Sequence, residues 1–162
     1  MPATVQIVEK NGAGGTTTDK TSGNVRMKKA DNSTVDLNNP LVKPGSGSDW
    51  SFEKFLRLLV GGTYTQITNI RAYTDGSSGL GTGVNLWAKA QAAYTTPAQG
   101  TASTGYVNAF TLTSGAPLSL GAGPFTGAGE KGDHLVLLAE VTAAAAGGLT
   151  PSESITFAWD EI

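Results

Sequence analysis

The chain reads as all-β, a single β-sandwich or jelly-roll-like domain with long Gly-rich loops and a flexible N-terminal arm. Three observations predict it. Among 162 residues there are 22 glycines and 7 prolines, a density of chain-turning residues that suits many short strands joined by tight turns. Between those turns, aliphatic and aromatic residues return largely at two-residue spacing, giving about seven to nine candidate strands. Only one segment also matches a helical template. A chain of this length buries roughly 70% of its unfolded surface, and its lack of cysteine excludes disulfides and thiolate metal sites.

Residues 4–9 are the first candidate strand, with Val5, Ile7 and Glu9 on one side and Gln6 and Val8 on the other. Residues 11–18 follow with no periodicity and no bulky side chain. Residues 1–22 are therefore expected to be a strand or arm plus a mobile linker, ahead of a sandwich domain spanning 23–162. Residues 24–30 form the next expected strand, closed by the turn Asp31-Asn32-Ser33, and residues 36–49 are loop.

Residues 50–60 fit two templates. Phe52, Phe55, Leu56 and Leu59 match helical spacing, while Trp50, Phe52, Leu56, Leu58 and Val60 alternate with a break at Lys54. A strand over 52–60 is preferred, because everything after it is β-like. Residues 67–74 and 84–90 are strands expected to pair as a hairpin across the Gly-rich loop 75–83. Residues 106–113 form another strand and 116–120 a short edge piece. Residues 134–142 are almost continuously apolar, as in a strand covered on both faces. Ile155, Phe157 and Trp159 alternate with Thr156, Ala158 and Asp160, a half-buried pattern. The linker 143–148 is a helical turn or a loop.

The formal net charge is −2 with 15% charged residues, which lacks the basic excess that nucleic-acid binding requires. Arg26, Lys28 and Lys29 form the densest positive cluster and read as a solvated strand edge. No signal-peptide pattern and no run approaching the roughly 20 apolar residues of a membrane span is visible. Nucleic-acid and membrane partners are thus not expected. Asn32-Ser33-Thr34 matches a glycosylation sequon and reads as a polar loop.

Enzymatic chemistry finds no support in the residues, and no catalytic, cofactor-binding or metal-ligating residue is expected. Gly127-Ala128-Gly129-Glu130-Lys131-Gly132 matches the dinucleotide-loop string, yet that loop works only where it opens a helix, and here a strand follows. His134, the single histidine, has no cysteine or nucleophile elbow to serve and reads as a turn or edge residue. The acid pairs Asp49 with Glu53, Glu130 with Asp133, and Asp160 with Glu161 show no spacing that selects a catalytic couple. A calcium site at Asp75 or Asp133 would need more acids than either loop holds. Trp50, Trp87 and Trp159, with Tyr64, Tyr73, Tyr94 and Tyr106, suit a core or a subunit interface, or a sugar-stacking platform. The expected interface residues are Val5, Ile7, Trp50, Trp87 and Tyr73.

Two strings carry a resemblance: Asn69-Ile70-Arg71-Ala72-Tyr73-Thr74-Asp75-Gly76 before a Gly-rich loop, and the closing Ile155-Thr156-Phe157-Ala158-Trp159-Asp160-Glu161-Ile162. With Phe55-Leu56-Arg57-Leu58 upstream, the chain resembles small β-rich virion structural proteins of tailed bacteriophages, in patches over residues 50–162. The resemblance implies a capsid decoration (cement) protein that binds the major capsid protein lattice, or else a tail or neck component. It implies a homo-oligomer, with a trimer as the first expectation, assembled in the host cytoplasm and located in the virion. The mobile residues 1–22 are expected to order on the particle. The competing class is a carbohydrate- or receptor-binding β-sandwich of a tail or fibre.

Overall fold

A computed structural model describes residues 2–147 and 151–162. The chain runs as β1 (Ala3–Asn11), β2 (Thr16–Asp19), β3 (Ser48–Trp50), β4 (Lys54–Gly62), β5 (Ile67–Tyr73), β6 (Val84–Gln91), β7 (Val107–Asn108), a 3-10 turn (Ala109–Thr111), β8 (Leu118–Gly121), β9 (Gly129–Thr142) and β10 (Thr156–Glu161). The strands form two antiparallel sheets. The first has the order β2-β1-β4-β9-β6-β7, with β3 paired to β9 beyond the start of β4, and the second has the order β10-β5-β8.

Directly opposed residues of an antiparallel pair share a face, so the registers show what each face holds. Leu56, Leu58 and Val60 of β4 stand opposite Glu9, Ile7 and Val5 of β1. Leu135, Leu137 and Ala139 of β9 stand opposite Ala90, Ala88 and Leu86 of β6. These apolar residues meet Ile67, Ile70 and Ala72 of β5 and Leu120 of β8 in one core, against which Phe157 and Trp159 of β10 pack. Each large aliphatic side chain removed from water there stabilises the sandwich by about 1.5–3 kcal/mol.

The sandwich itself is as expected, and residues 54–62 are strand rather than helix. Both faces of β4 are covered: Leu56, Leu58 and Val60 by the second sheet, and Phe55, fully buried, by the ring of Tyr94 on the opposite side. Double burial produced the apolar spacing that imitates a helix. Phe52 forms only an isolated bridge to Gln99.

Several expectations are corrected. Of the two readings of the N-terminal segment, strand or arm, the strand is the one formed. Residues 3–10 pair with β4 over eight positions, so β1 lies inside the first sheet. The Gly-rich stretch is a hairpin turn, in which Gly12 and Gly15 take positive φ and Gly15 N–H donates to the Gly12 carbonyl. Thr16, Thr17 and Thr18 then pair back onto β1. Residues 24–30 form no strand. Strands β5 and β6 are not a hairpin: β5 lies in the second sheet between β10 and β8, and β6 pairs with β9 and β7. Alternation along a strand encodes its faces, not its partner, so the crossing of residues 74–83 between sheets left no local mark. Residues 106–113 contain β7, the 3-10 turn and an isolated bridge at Thr113, and the Asn108 side chain caps the turn by accepting from the Phe110 N–H. Residues 143–147 form a turn, and Gly148 of the same linker lies outside the described residues.

The dinucleotide-like string runs from a bend at residues 127–128 into the start of β9. Gly132 adopts φ +72°, and a Cβ there would stand 2.5 Å from the Leu120 carbonyl oxygen. It is glycine because the two sheets touch backbone to backbone at that point. Strand β9 carries extra residues here, since Leu56 pairs with Leu135 but Leu58 with Lys131. Arg57 fills the gap by donating from Nε to the Gly132 carbonyl at 2.7 Å.

Candidate functional site

Residues 20–47, between β2 and β3, form no strand or helix. Connections longer than about 12–15 residues without structure of their own are uncommon and are often binding loops. This one is held by three lysines, Lys54 of β4 and Lys20 and Lys28 of the loop itself. Lys54 and Glu9 are both fully buried, and their charges meet at 3.2 Å. Lys54 Nζ also donates to the Asn32 carbonyl at 2.8 Å. Lys20 Nζ donates to the carbonyls of Ser33 at 2.7 Å and Asn24 at 3.1 Å, and lies 3.5 Å from Glu9. Lys28 Nζ donates to Asn32 Oδ1 and the Thr34 carbonyl. Burial, and then the neighbouring Lys54, push the Lys28 ammonium below the ordinary lysine range. Ammonium groups thus do for this loop what a ladder does for a strand: they satisfy carbonyls that have no strand partner.

Lys28 is therefore no solvated edge residue; it is buried, and its charge organises the loop. Asp31 completes the attachment by accepting from Asn11 Nδ2 at 2.9 Å and Gly12 N–H at 2.7 Å. On this framework the loop turns apolar side chains outward. Val35 is 65% exposed, Leu37 86% and Val42 47%, while Val25, Met27 and Leu41 of the same connection pack on the core.

The outer side of the first sheet is crossed by residues 92–106. Tyr94 packs edge-on to Phe55 with centroids 5.1 Å apart, and its hydroxyl donates to the Gly12 carbonyl at 2.5 Å. Burial, followed by the charge of Asp31, pushes this phenol up to about 12. His134, 1% exposed, packs against both Phe55 and Tyr94, with Nδ1 3.1 Å from the Gln91 carbonyl and Nε2 unpartnered. It is a core residue, not an edge residue as its sequence position suggested. Farther along, Glu53 receives Lys89 Nζ at 3.1 Å and the Tyr106 hydroxyl, and Lys89 stands 4.4 Å over the Tyr106 ring.

The expected interface residues are dispersed. Val5 and Ile7 are half-buried and pack on the core. Trp50 and Trp87 do share a neighbourhood on the outer side of the first sheet. Trp50 stands opposite Glu140, and Trp87 Nε1 donates to Glu140 Oε2 at 3.0 Å. Ser48 and Asn85 donate to the same carboxylate at 2.6 and 3.0 Å. Burial pulls Glu140 upward, but these donors outweigh it and hold the carboxyl below the ordinary range. Tyr73 is half-buried on β5, opposite Thr156, in the other sheet. Trp159 packs on the core, so the tryptophans form no single strip.

The acid pairs are likewise separated by their partners. Asp49 binds Lys29 and the Val42 N–H, whereas Glu53 binds Lys89. Glu130 is clasped by Lys10 at 2.9 Å and Arg57 at 3.1 Å, which overcome the upward pull of burial and lower its pKa. Asp160 binds Asn69 and Arg71, and Glu161 accepts from Ala3 N–H. Among the described residues no group of three His, Cys, Asp or Glu side chains is placed to hold a metal ion.

The residues that sequence reasoning missed are Val35, Leu37 and Val42. Their signal was present but faint: isolated aliphatics in an Asp/Asn/Pro-rich stretch, with no alternation to place them in a core. Comparison of the chain with protein-family models, with curated proteins and with solved structures returns no match.

Proposed function

We propose that the protein is a structural component of a tailed-phage particle, a capsid decoration protein that binds and stabilises the lattice of the major capsid protein. The observation that supports this reading best is the loop of residues 20–47. It presents Leu37, Val35 and Val42 to solvent from a loop whose carbonyls at Asn24, Asn32, Ser33 and Thr34 are bound by lysine ammonium groups and whose Val42 N–H is bound by Asp49. Apolar side chains held in place before binding lose little conformational entropy when a partner covers them, which suits a protein that must occupy many equivalent sites. The loop takes over the contact role that the sequence assigned to residues 1–22. The resemblance of residues 50–162 to small virion proteins supplies the partner class, and a symmetric homo-oligomer, a trimer first, follows from the same resemblance.

Co-sedimentation with undecorated capsids tests this. Saturable binding at a fixed number per lattice unit is expected, and Leu37→Asp with Val42→Asp should weaken it by at least about tenfold while leaving the thermal transition unchanged. Absence of binding by the folded protein overturns the reading.

A further inference from the structure

The outer side of the three-stranded sheet carries an unusual local construction. Within β5 the buried positions Ile67 and Ile70 are three apart, after which burial returns at Ala72 and Thr74. Two consecutive residues, Thr68 and Asn69, therefore point away from the core. The backbone achieves this at Asn69, which has φ +52° and is the one non-glycine with positive φ among the described residues. Register shifts on both flanks at this point: opposite β10 between Ala158 and Asp160, and opposite β8 between Ile70 and Arg71. Bulges of this kind re-aim side chains and are over-represented beside binding sites.

The re-aimed side chains converge. Asn69 Nδ2 donates to Asp160 Oδ2 at 2.7 Å, Arg71 Nη1 donates to Asp160 Oδ1 at 3.1 Å, and the same Nη1 donates to the Asn69 carbonyl at 2.8 Å. They line an open groove of about 380 Å³ together with Ile70, Pro117, Ser119 and Ala122. Among the described residues Arg71 Nε and Nη2 donate to no protein group, and each Asp160 oxygen retains a lone pair.

We propose that this groove binds a neutral, hydroxyl-rich ligand, a glycan chain, through Asn69, Arg71, Ser119 and Asp160. A sugar hydroxyl is both donor and acceptor. The groove offers an acceptor-only carboxylate, a donor-only guanidinium, and an amide and a hydroxyl that do both. Arg71 and Asp160 cancel each other's charge, so the groove favours neither an anion nor a cation. Pro117 and Ala122 add a small apolar patch of the kind that the C–H face of a pyranose covers. An open groove admits a chain rather than enclosing a small molecule. The site lies in the sheet that does not carry Trp50 and Trp87, and it is independent of the capsid reading.

The test is backbone-amide NMR titration of the full chain with neutral hexasaccharides of glucose, N-acetylglucosamine and mannose, and with hexagalacturonate as the charged comparison. A neutral sugar is expected to shift the amides of Asn69, Arg71, Ser119 and Asp160 saturably. Asn69→Gly, which keeps the positive φ while deleting the side chain, and Asp160→Asn should each weaken binding by about tenfold or more. The proposal is overturned if no neutral sugar moves these amides, if only hexagalacturonate does, or if shifts centre on Trp50 and Trp87 and survive both variants.

Discussion

At the scale of single residues, three buried polar side chains carry testable consequences for stability. Glu9 and Lys54 form an ion pair with both side chains at zero exposure. Removing one partner from such a pair strands the other and costs about 3–5 kcal/mol, whereas replacing both with apolar residues of similar volume is often neutral. Lys54→Met is therefore expected to lower stability by about 3 kcal/mol, moderated by Lys20, which stays near Glu9. Glu9→Leu combined with Lys54→Met should recover much of the loss in urea unfolding. His134 is the third. Its burial, reinforced by the charges of Arg57 and Lys10, holds its pKa below the ordinary 6.5, while the Gln91 carbonyl and Glu130 pull the other way. Because the folded state resists protonation, the unfolded chain binds more protons between the folded and unfolded pKa values. Stability from this group is complete above about pH 6.5 and declines as pH falls through that value toward the lowered folded pKa. With no second histidine in the chain, His134→Phe should flatten the dependence of unfolding free energy on pH just below about 6.5. A slope that persists in the variant would assign it to other groups.

At the scale of elements, β1 and the glycine of β9 decide the outcome. Deleting residues 1–11 removes an interior strand paired along its length with β4, together with Glu9. The truncated chain is expected to lose cooperative thermal unfolding, where a mobile arm would have left it unchanged. Circular dichroism with limited proteolysis separates the two. Gly132→Ala places a Cβ against the Leu120 carbonyl at 2.5 Å in a backbone of positive φ. It should cost about 1–3 kcal/mol, read as a lower urea midpoint at unchanged slope. The elements that the sequence marked well are those with two clear faces. Strand β9 reads as continuously apolar because His134, Val136 and Leu138 face the crossing segment while Leu135, Leu137 and Ala139 face the second sheet. Strand β2 was missed because an edge strand of threonines beside glycines buries nothing that would mark it.

At the scale of the molecule, the chain shuttles between sheets. After β4 it enters the second sheet for β5, returns for β6 and β7, leaves again for β8, returns for β9 and ends in the second sheet with β10. The pairing is thus dominated by residues distant in sequence. Refolding is expected in milliseconds to seconds rather than microseconds, as for other domains of non-local topology, and stopped-flow fluorescence of the tryptophans measures it.

The sequence by itself determined that the chain is all-β, where most strands lie and which residues they bury, because alternation and turn residues are local properties. It also held the apolar residues of the exposed loop and the three-residue step from Ile67 to Ile70, without showing their use. Only the tertiary structure decided strand partners, the place of β1, the burial of Lys28, Lys54 and His134, and the meeting of Asn69, Arg71 and Asp160. Each of those depends on which distant backbone lies alongside. A charged or polar residue is written the same way whether water or a fold supplies its partners.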